Sequence, residues 1–344
     1  MTTTAEMVQV SIGEIRQVAQ SALVKAGCDV ENASAIANVM ASADRDGCAS
    51  HGLFRLNGYL AALKSGKVDG KAHPLATRLA PSVVQVDGCR GFAPLAMIKA
   101  REELAPVSRE QGVAVASLVN VHHFSALWID IQPLVEAGLV TMCFTAYLPA
   151  VAPSGALKPF FGTNPMAFGW PRANGETMIF DQASAAMARG EIMIAARDGH
   201  PLPAGVGIDN EGQPTTDPAA ILRGAQLPFG GYKGSAIALM VELLACGLIG
   251  QPFSIEASEE DSREGPPRGG VIVLAFDPAR FGDADGWLAH SESYLKRLTA
   301  LEGVRLPGDR RANNRTRTNR EGARLPTQLW EDALCASGMA PRKC

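Results

Sequence analysis

The spacing of apolar residues changes along the chain, and each spacing predicts an element. Ile12, Ile15, Val18, Ala19 and Leu23 recur three or four apart, which predicts a helix from Ser11 that stops at Gly27. Ala35, Ile36, Val39 and Met40 predict a second helix over Val30–Arg45, and a third is expected over about Gly52–Lys64. At Val83 the period shortens, and Val83, Val84 and Val86 before Asp87-Gly88 read as a strand and turn. A helix over Pro94–Gln111 and a buried strand over Val113–Val121 follow. Further strands are expected over Leu139–Ala146, Met166–Trp170, Thr177–Asp181 and Val271–Phe276. Helices are expected over Ser125–Ala137, Ala183–Ala196, Ser235–Leu248 and Trp287–Leu301. The acidic, Pro/Gly-rich stretch Ser254–Arg268 reads as a solvent loop. No internal repeat appears. This order predicts a mixed α/β (α+β) fold with a helical N-terminal region.

Composition narrows the class. The chain has 344 residues, 47% hydrophobic and 19% charged, with a net charge of −3, which excludes a disordered or fibrous protein. It also argues against nucleic acid as a partner. The length suggests about two domains. The cysteines Cys28, Cys48, Cys89, Cys143, Cys246, Cys335 and Cys344 form no CxxC or Cys/His metal spacing, so reduced thiols and no metal are expected. Met1–Val10 has neither the basic residue nor the apolar run of a signal peptide. The longest charge-free apolar stretch, Ala137–Leu157, is interrupted by Pro149, Pro153 and Gly155, which disfavours a membrane span. A cytoplasmic protein away from membranes is expected.

Familiar nucleotide and hydrolase loops are missing. Gly205-Val206-Gly207 begins a GxGxxG but ends on Asn210, and no Walker A, HExxH or GxSxG occurs. Other segments carry candidate chemistry. On a helix opening near Ser50, His51 and Arg55 would share a face, joining an acid/base to a carboxylate fork; a capping Ser with two surface polar residues is the plainer reading. His122-His123-Phe124-Ser125 ends a strand and opens a helix, where ligands and anions commonly bind, although adjacent histidines point differently. Phe161-Gly162-Thr163-Asn164-Pro165 is a turn with a ligand-binding hydroxyl or simply an Asn-Pro turn. Asp181 reads as an N-cap and Glu191 as a carboxylate that orients an imidazole. The amides of Phe229-Gly230-Gly231-Tyr232-Lys233-Gly234, with Lys233, suit an anion or close packing. Arg305–Arg324 holds seven arginines against Asp309 and Glu321, a solvated coil or a phosphate contact.

In this order, these segments resemble the malate/L-lactate dehydrogenase family that lacks a Rossmann fold, the sulfolactate dehydrogenase-like enzymes. The matching pieces are Ser50-His51-Gly52 with Arg55, His123-Phe124, Phe161–Pro165, Phe180-Asp181 with Ala188-Arg189-Gly190, and Pro228–Gly234. The resemblance implies a largely antiparallel NAD(P)-binding sheet and a homodimer. It divides the chain into a helical region 1–75 packed with C-terminal helices in 285–344, a strand/helix segment 76–122, and an NADP-binding sheet domain 123–284. Within the family, His122–Trp128, Phe180–Ser184, Met187–Glu191 and Leu306–Arg311 are most similar to the branch that reduces Δ1-piperideine-2-carboxylate and Δ1-pyrroline-2-carboxylate. That likeness implies His51 as proton donor with Ser50 and Glu191 as relay partners. It implies Arg55, Thr163, Arg189 and Gly190 around the substrate. For NADPH it implies His123, Phe124, Ser125, Ala126, Leu127, Asp181, Gln182, Ala183, Tyr232, Lys233, Arg305, Gly308, Asp309, Arg310 and Arg311. The expected reaction is NADPH-dependent reduction of a cyclic imino acid to L-pipecolate or L-proline. An NAD(P)-dependent 2-hydroxy-acid dehydrogenase is the alternative, and a non-catalytic anion binder a third reading. Leu127 and Trp128 are expected to shape the pocket for a flat ring, and Glu191 to favour a cationic partner. Residues 315–344 match nothing in the family pattern.

Overall fold

The computed structural model describes residues 6–260 and 265–339. Cys344, residues 1–5 of the stretch searched for a leader, and 261–264 within the acidic segment lie outside the described residues. In chain order the elements are β1 (Met7–Val10), α1 (Ile12–Lys25), α2 (Val30–Arg45), 3-10 turns at Ala49–His51 and Leu53–Arg55, and α3 (Leu56–Lys64). Then come β2 (Leu75–Ala80), β3 (Val83–Asp87), α4 (Ala93–Gln111), β4 (Val113–His122), α5 (Leu127–Glu136) and β5 (Val140–Thr145). The middle holds β6 (Met166–Pro171), β7 (Thr177–Gln182), α6 (Arg189–Asp198), β8 (Gly207–Ile208), β9 (Pro214–Thr215), α7 (Pro218–Arg223) and β10 (Ala225–Gln226). The chain continues with α8 (Tyr232–Ala245), α9 (Ser254–Glu260), β11 (Arg268–Phe276), α10 (Trp287–Thr299), α11 (Asp309–Glu321), β12 (Ala323–Pro326) and α12 (Thr327–Ser337).

The main sheet runs β2-β3-β4-β11-β5-β6-β7. Every pairing in it is antiparallel except β3–β4. Side chains alternate between its faces. Val271, Val273 and Ala275 of β11 join Ala116 and Leu118 of β4 under α4 and α5. Ile272 and Leu274 turn the other way, with Phe144, onto Val241 and Ala245 of α8. Burial on both faces explains why these strands read as continuous apolar runs. A separate core joins α1, α2 and α3 to α12, and β1 pairs with β12 beneath it. The stretch after Arg315 thus includes a strand and a helix, β12 and α12, that close the N-terminal helical layer.

Four expectations are corrected. The third helix does not begin at Gly52: the Leu53 amide donates to Asp44 Oδ2 at 2.8 Å, and the chain makes two tight turns before α3. His51 and Arg55 therefore do not share a helix face. The helix expected from Ala183 starts only at Arg189. Asp181 and Gln182 stay in β7, and the Ser184 amide donates to the Thr163 carbonyl at 2.8 Å, which holds the chain out of helical geometry. The acidic segment begins as α9, with Ser254 and Ala257 buried; the Ser254 amide donates to Glu242 Oε2 at 3.0 Å. The arginine-rich segment is largely the helix α11, tied to α2 by Arg315 on Asp46 and by Asn314 Nδ2 on the Asp46 carbonyl at 3.2 Å.

Candidate active site

The site is built where the turns after α2 meet the ends of β4 and β5 and the start of α6. Gly52 is required there because a Cβ would overlap the Asp44 carboxylate that receives the Leu53 amide. Burial pushes the Asp44 carboxyl up to about 7. The Ser50 hydroxyl and His51 Nδ1 are 3.1 Å apart. Arg55 Nε donates to the Ser50 carbonyl at 2.7 Å, and its guanidinium lies 4.6 Å from the centroid of the Phe124 ring. Gly190 closes this group, since a Cβ there would come 2.7 Å from Ser50 Cβ and 3.2 Å from an Arg55 guanidinium nitrogen. Arg189 and Arg55 act electrostatically on one another and on the Tyr147 hydroxyl. Ser50, His51, Arg55, Arg189 and Gly190 thus come together from two distant segments.

Burial, then the Arg55 and His123 charges, hold His51 down to about 3, so the imidazole is neutral near pH 7. Glu191 lies exposed in the first turn of α6 and is not among the charges acting on His51. No hydrogen bond joins the two among the described residues. The expected electrostatic support of His51 by Glu191 is therefore absent from this geometry.

His123 sits next to this group. Its Nε2 is 2.8 Å from Asp130 Oδ2, and Ser125 donates to Asp130 Oδ1 at 3.2 Å, all three residues being buried. The adjacent His122 points elsewhere, its Nδ1 lying 3.0 Å from the Pro266 carbonyl. Asp181, read as an N-cap of the following helix, instead accepts from the Trp128 amide at the start of α5 at 3.1 Å. Ala126, Leu127 and Trp128 are buried in or against the main core, so Leu127 and Trp128 do not shape an open pocket. Arg311 lies 5.0 Å from the Trp128 ring centroid and donates to the Ile179 carbonyl. Asp309 accepts from the Leu306 amide at 2.8 Å, and Gly308 has φ +98° beside Ile179. Arg310, Gln182 and Arg305 have exposed side chains.

Thr163 belongs to a third group. Asn164 Nδ2 donates to the Ala238 carbonyl at 3.0 Å and to Glu242 Oε1 at 2.8 Å, pinning the loop to α8. Gly162 packs on the Tyr147 backbone. Ala183 packs on the same cluster as Ala238. The glycine loop before α8 is not a nest of bare amides. Gly231, Lys233, Gly234 and Ser235 donate to the carbonyls of Pro228, Gly230, Phe229 and Gly231. The side chains of Tyr232 and Lys233 are exposed beside this loop.

Sequence reasoning missed Asp44, Tyr59, Asp130 and Tyr147. Each enters the site through contacts distant in sequence or, for Asp44, through the Leu53 amide nine residues on. Tyr59, fully buried with an unpartnered hydroxyl, packs on Phe92 and Phe124 beneath Arg55.

Residues 10–333 match the family model for malate/L-lactate dehydrogenase, and the chain belongs to that family. Among its relatives is a Δ1-pyrroline-2-carboxylate reductase from Ancylobacter novellus, 44% identical over 95% of this chain and 97% of the relative. The crystal structure of Δ1-piperideine-2-carboxylate reductase from Pseudomonas syringae superposes with a TM-score of 0.91 at 42% identity, covering 96% of this chain and 99% of that one. A (2R)-3-sulfolactate dehydrogenase (NADP+) from Chromohalobacter salexigens is 41% identical over 94% of this chain and 96% of the relative.

Proposed function

We propose that the protein reduces the C=N bond of a cyclic 2-imino acid, Δ1-piperideine-2-carboxylate or Δ1-pyrroline-2-carboxylate, to L-pipecolate or L-proline. The observation that carries this reading is the pairing of Arg55 with His51 in one enclosed group, in a chain 42% identical to a solved Δ1-piperideine-2-carboxylate reductase. Bound NADPH would supply the hydride to C2. Arg55, with Arg189, holds the substrate carboxylate and so fixes C2 and the ring nitrogen; positioning of this kind removes several kcal/mol from a barrier. In the free protein Arg55 opposes a charged His51. A carboxylate seated on the guanidinium offsets that repulsion and raises the proton affinity of His51 as substrate arrives. His51 takes up a proton from solvent as the carboxylate binds and delivers it to the ring nitrogen as hydride reaches C2, and Ser50 sets the ring orientation through Nδ1.

Tyr232, Lys233 and Arg310 are the residues we assign to the NADPH phosphates, with Arg311 and the main chain of His123–Leu127, Asp181–Ala183 and Arg305–Asp309 as the remaining contacts. The NADP+ in the name of the sulfolactate relative supports the phosphate-bearing cofactor. Leu239, Leu243 and Leu248 are exposed at and just beyond α8, and this apolar face is the surface we assign to a homodimer. A cytoplasmic location and the 123–284 limits of a cofactor domain belong to the same reading. His51→Ala tests the assignment. Turnover should fall about 10²–10⁴-fold with NADPH affinity nearly intact. Near-wild-type turnover at neutral pH would remove His51 from the chemistry.

A further inference from the structure

We propose that Tyr147 is a further substrate-positioning residue, its hydroxyl donating to the same carboxylate that Arg55 and Arg189 hold. The assignment rests on the carboxylate-binding reading above and adds a neutral donor to it. Tyr147 follows β5 by two residues and is half-buried. Its ring lies nearly parallel to that of Phe124, at 10° with centroids 6.4 Å apart, and the Arg55 guanidinium is 4.6 Å from the same Phe124 centroid. Arg55 and Tyr147 thus share the Phe124 ring as a neighbour. The Tyr147 backbone is clamped as well. A Cβ at Gly162 would come 2.5 Å from its carbonyl oxygen and 2.7 Å from its nitrogen, so only glycine lets that loop close. Asn164 pins the loop to α8 through Glu242 at 2.8 Å. The phenol ring is therefore held before any ligand arrives, the condition under which a contact adds affinity at little ordering cost.

The donors and acceptors of this group do not balance. Among the described residues, the Tyr147 hydroxyl and the Arg189 guanidinium make no hydrogen bond or ion pair. Arg55 uses only Nε, on the Ser50 carbonyl at 2.7 Å. The groups that act on the two arginines are tyrosine hydroxyls and, for Arg189, Arg55 itself, with no carboxylate among them. Their positive charge is therefore unmet. Burial holds the Tyr147 hydroxyl above its ordinary value, so it is protonated near neutral pH and adds a third donor. Two guanidinium forks and an O–H that act on one another call for an anion with several acceptor sites. A carboxylate offers about four on its two oxygens.

The test is Tyr147→Phe, which keeps the ring and its stack on Phe124 and removes one oxygen. Picolinate, a flat ring with a carboxylate beside its nitrogen, and pyridine, the same ring without the carboxylate, are titrated calorimetrically into protein saturated with NADPH. Picolinate should bind about tenfold more weakly to the variant, as expected for loss of a hydrogen bond to a charged group, and pyridine should not change. With Δ1-piperideine-2-carboxylate, KM should rise about tenfold while kcat changes less than about threefold. For Δ1-piperideine, which lacks the carboxylate, kcat/KM should stay the same. Weakened picolinate binding in a protein that fails to reduce cyclic imines would uphold Tyr147 and overturn only the choice of a C=N bond. No picolinate binding to the wild type, unchanged affinity in the variant, or equal losses with and without the carboxylate would each overturn the proposal.

Discussion

Replacing Arg55 by Gln separates two effects that the structure assigns to one guanidinium. Arg55 is held by the Ser50 carbonyl at 2.7 Å and by the Phe124 ring, so the fork is fixed before substrate arrives. Truncating one member of a buried, hydrogen-bonded charge pair costs about 2–5 kcal/mol. Arg55 is half-buried, so the lower part of that range applies. At about 1.4 kcal/mol per tenfold, 3 kcal/mol raises KM for a cyclic imino acid by roughly 100-fold. The second effect concerns His51. Burial is the larger cause of its low value of about 3, and Arg55 the next. The His51 titration should therefore move upward in Arg55→Gln but stay below the ordinary value. Proton NMR titration reads it, with His51→Ala identifying the resonance among the six histidines. Arg55→Lys is the control: it loses the bidentate fork yet keeps the charge, so KM rises while His51 stays near its original value. An unchanged KM in Arg55→Gln, or a His51 titration identical in all three proteins, would refute the reasoning.

Two further outcomes follow from other parts of the site. Asp44 is raised from 3.8 to about 7, so the folded state favours its protonated form and the associated stability is lost as pH rises through about 7. That span is worth about 4 kcal/mol at 1.36 kcal/mol per pH unit. Asp44→Asn keeps an acceptor for the Leu53 amide, and its urea midpoint relative to wild type should improve between pH 5 and pH 8; parallel curves would show that Asp44 does not titrate in this window. Arg310 is exposed whereas Arg311 is committed to Ile179 and Trp128. Arg310→Ala should accordingly weaken NADPH about tenfold or more with NADH nearly unchanged, read by fluorescence titration; equal loss for both cofactors would place Arg310 away from the 2′-phosphate.

Periodicity located the elements whose burial is one-sided or complete. The apolar stripe of α2 and the runs in β4 and β11 lie where their spacing places them, because burial alone decides those segments. Local pattern failed where a distant partner overrides it. The Asp44 carboxylate takes the Leu53 amide and splits the expected helix, and Ser184 on Thr163 delays α6. The ordered motifs made Ser50, His51, Arg55 and Gly190 legible as a group. Linear spacing does not say which way a side chain faces, so Leu127 and Trp128 were read as pocket walls although they pack in the core. Glu191 likewise stands exposed, away from the charges that act on His51. The case for an imine substrate therefore rests on Arg55, His51 and the relatives, not on those three residues.

The central claim is the choice of a C=N bond over a C=O bond. The decisive measurement is kcat/KM with NADPH for Δ1-piperideine-2-carboxylate and Δ1-pyrroline-2-carboxylate beside pyruvate, and in the oxidative direction with NADP+ for malate and sulfolactate. The cyclic imines should exceed pyruvate by at least about 100-fold, about 2.7 kcal/mol of transition-state preference. Pyruvate mixed with methylamine, which forms an open-chain imine, should fall between them. Turnover of pyruvate, malate or sulfolactate that matches or exceeds the cyclic imines would contradict the account and make the protein a 2-hydroxy-acid dehydrogenase.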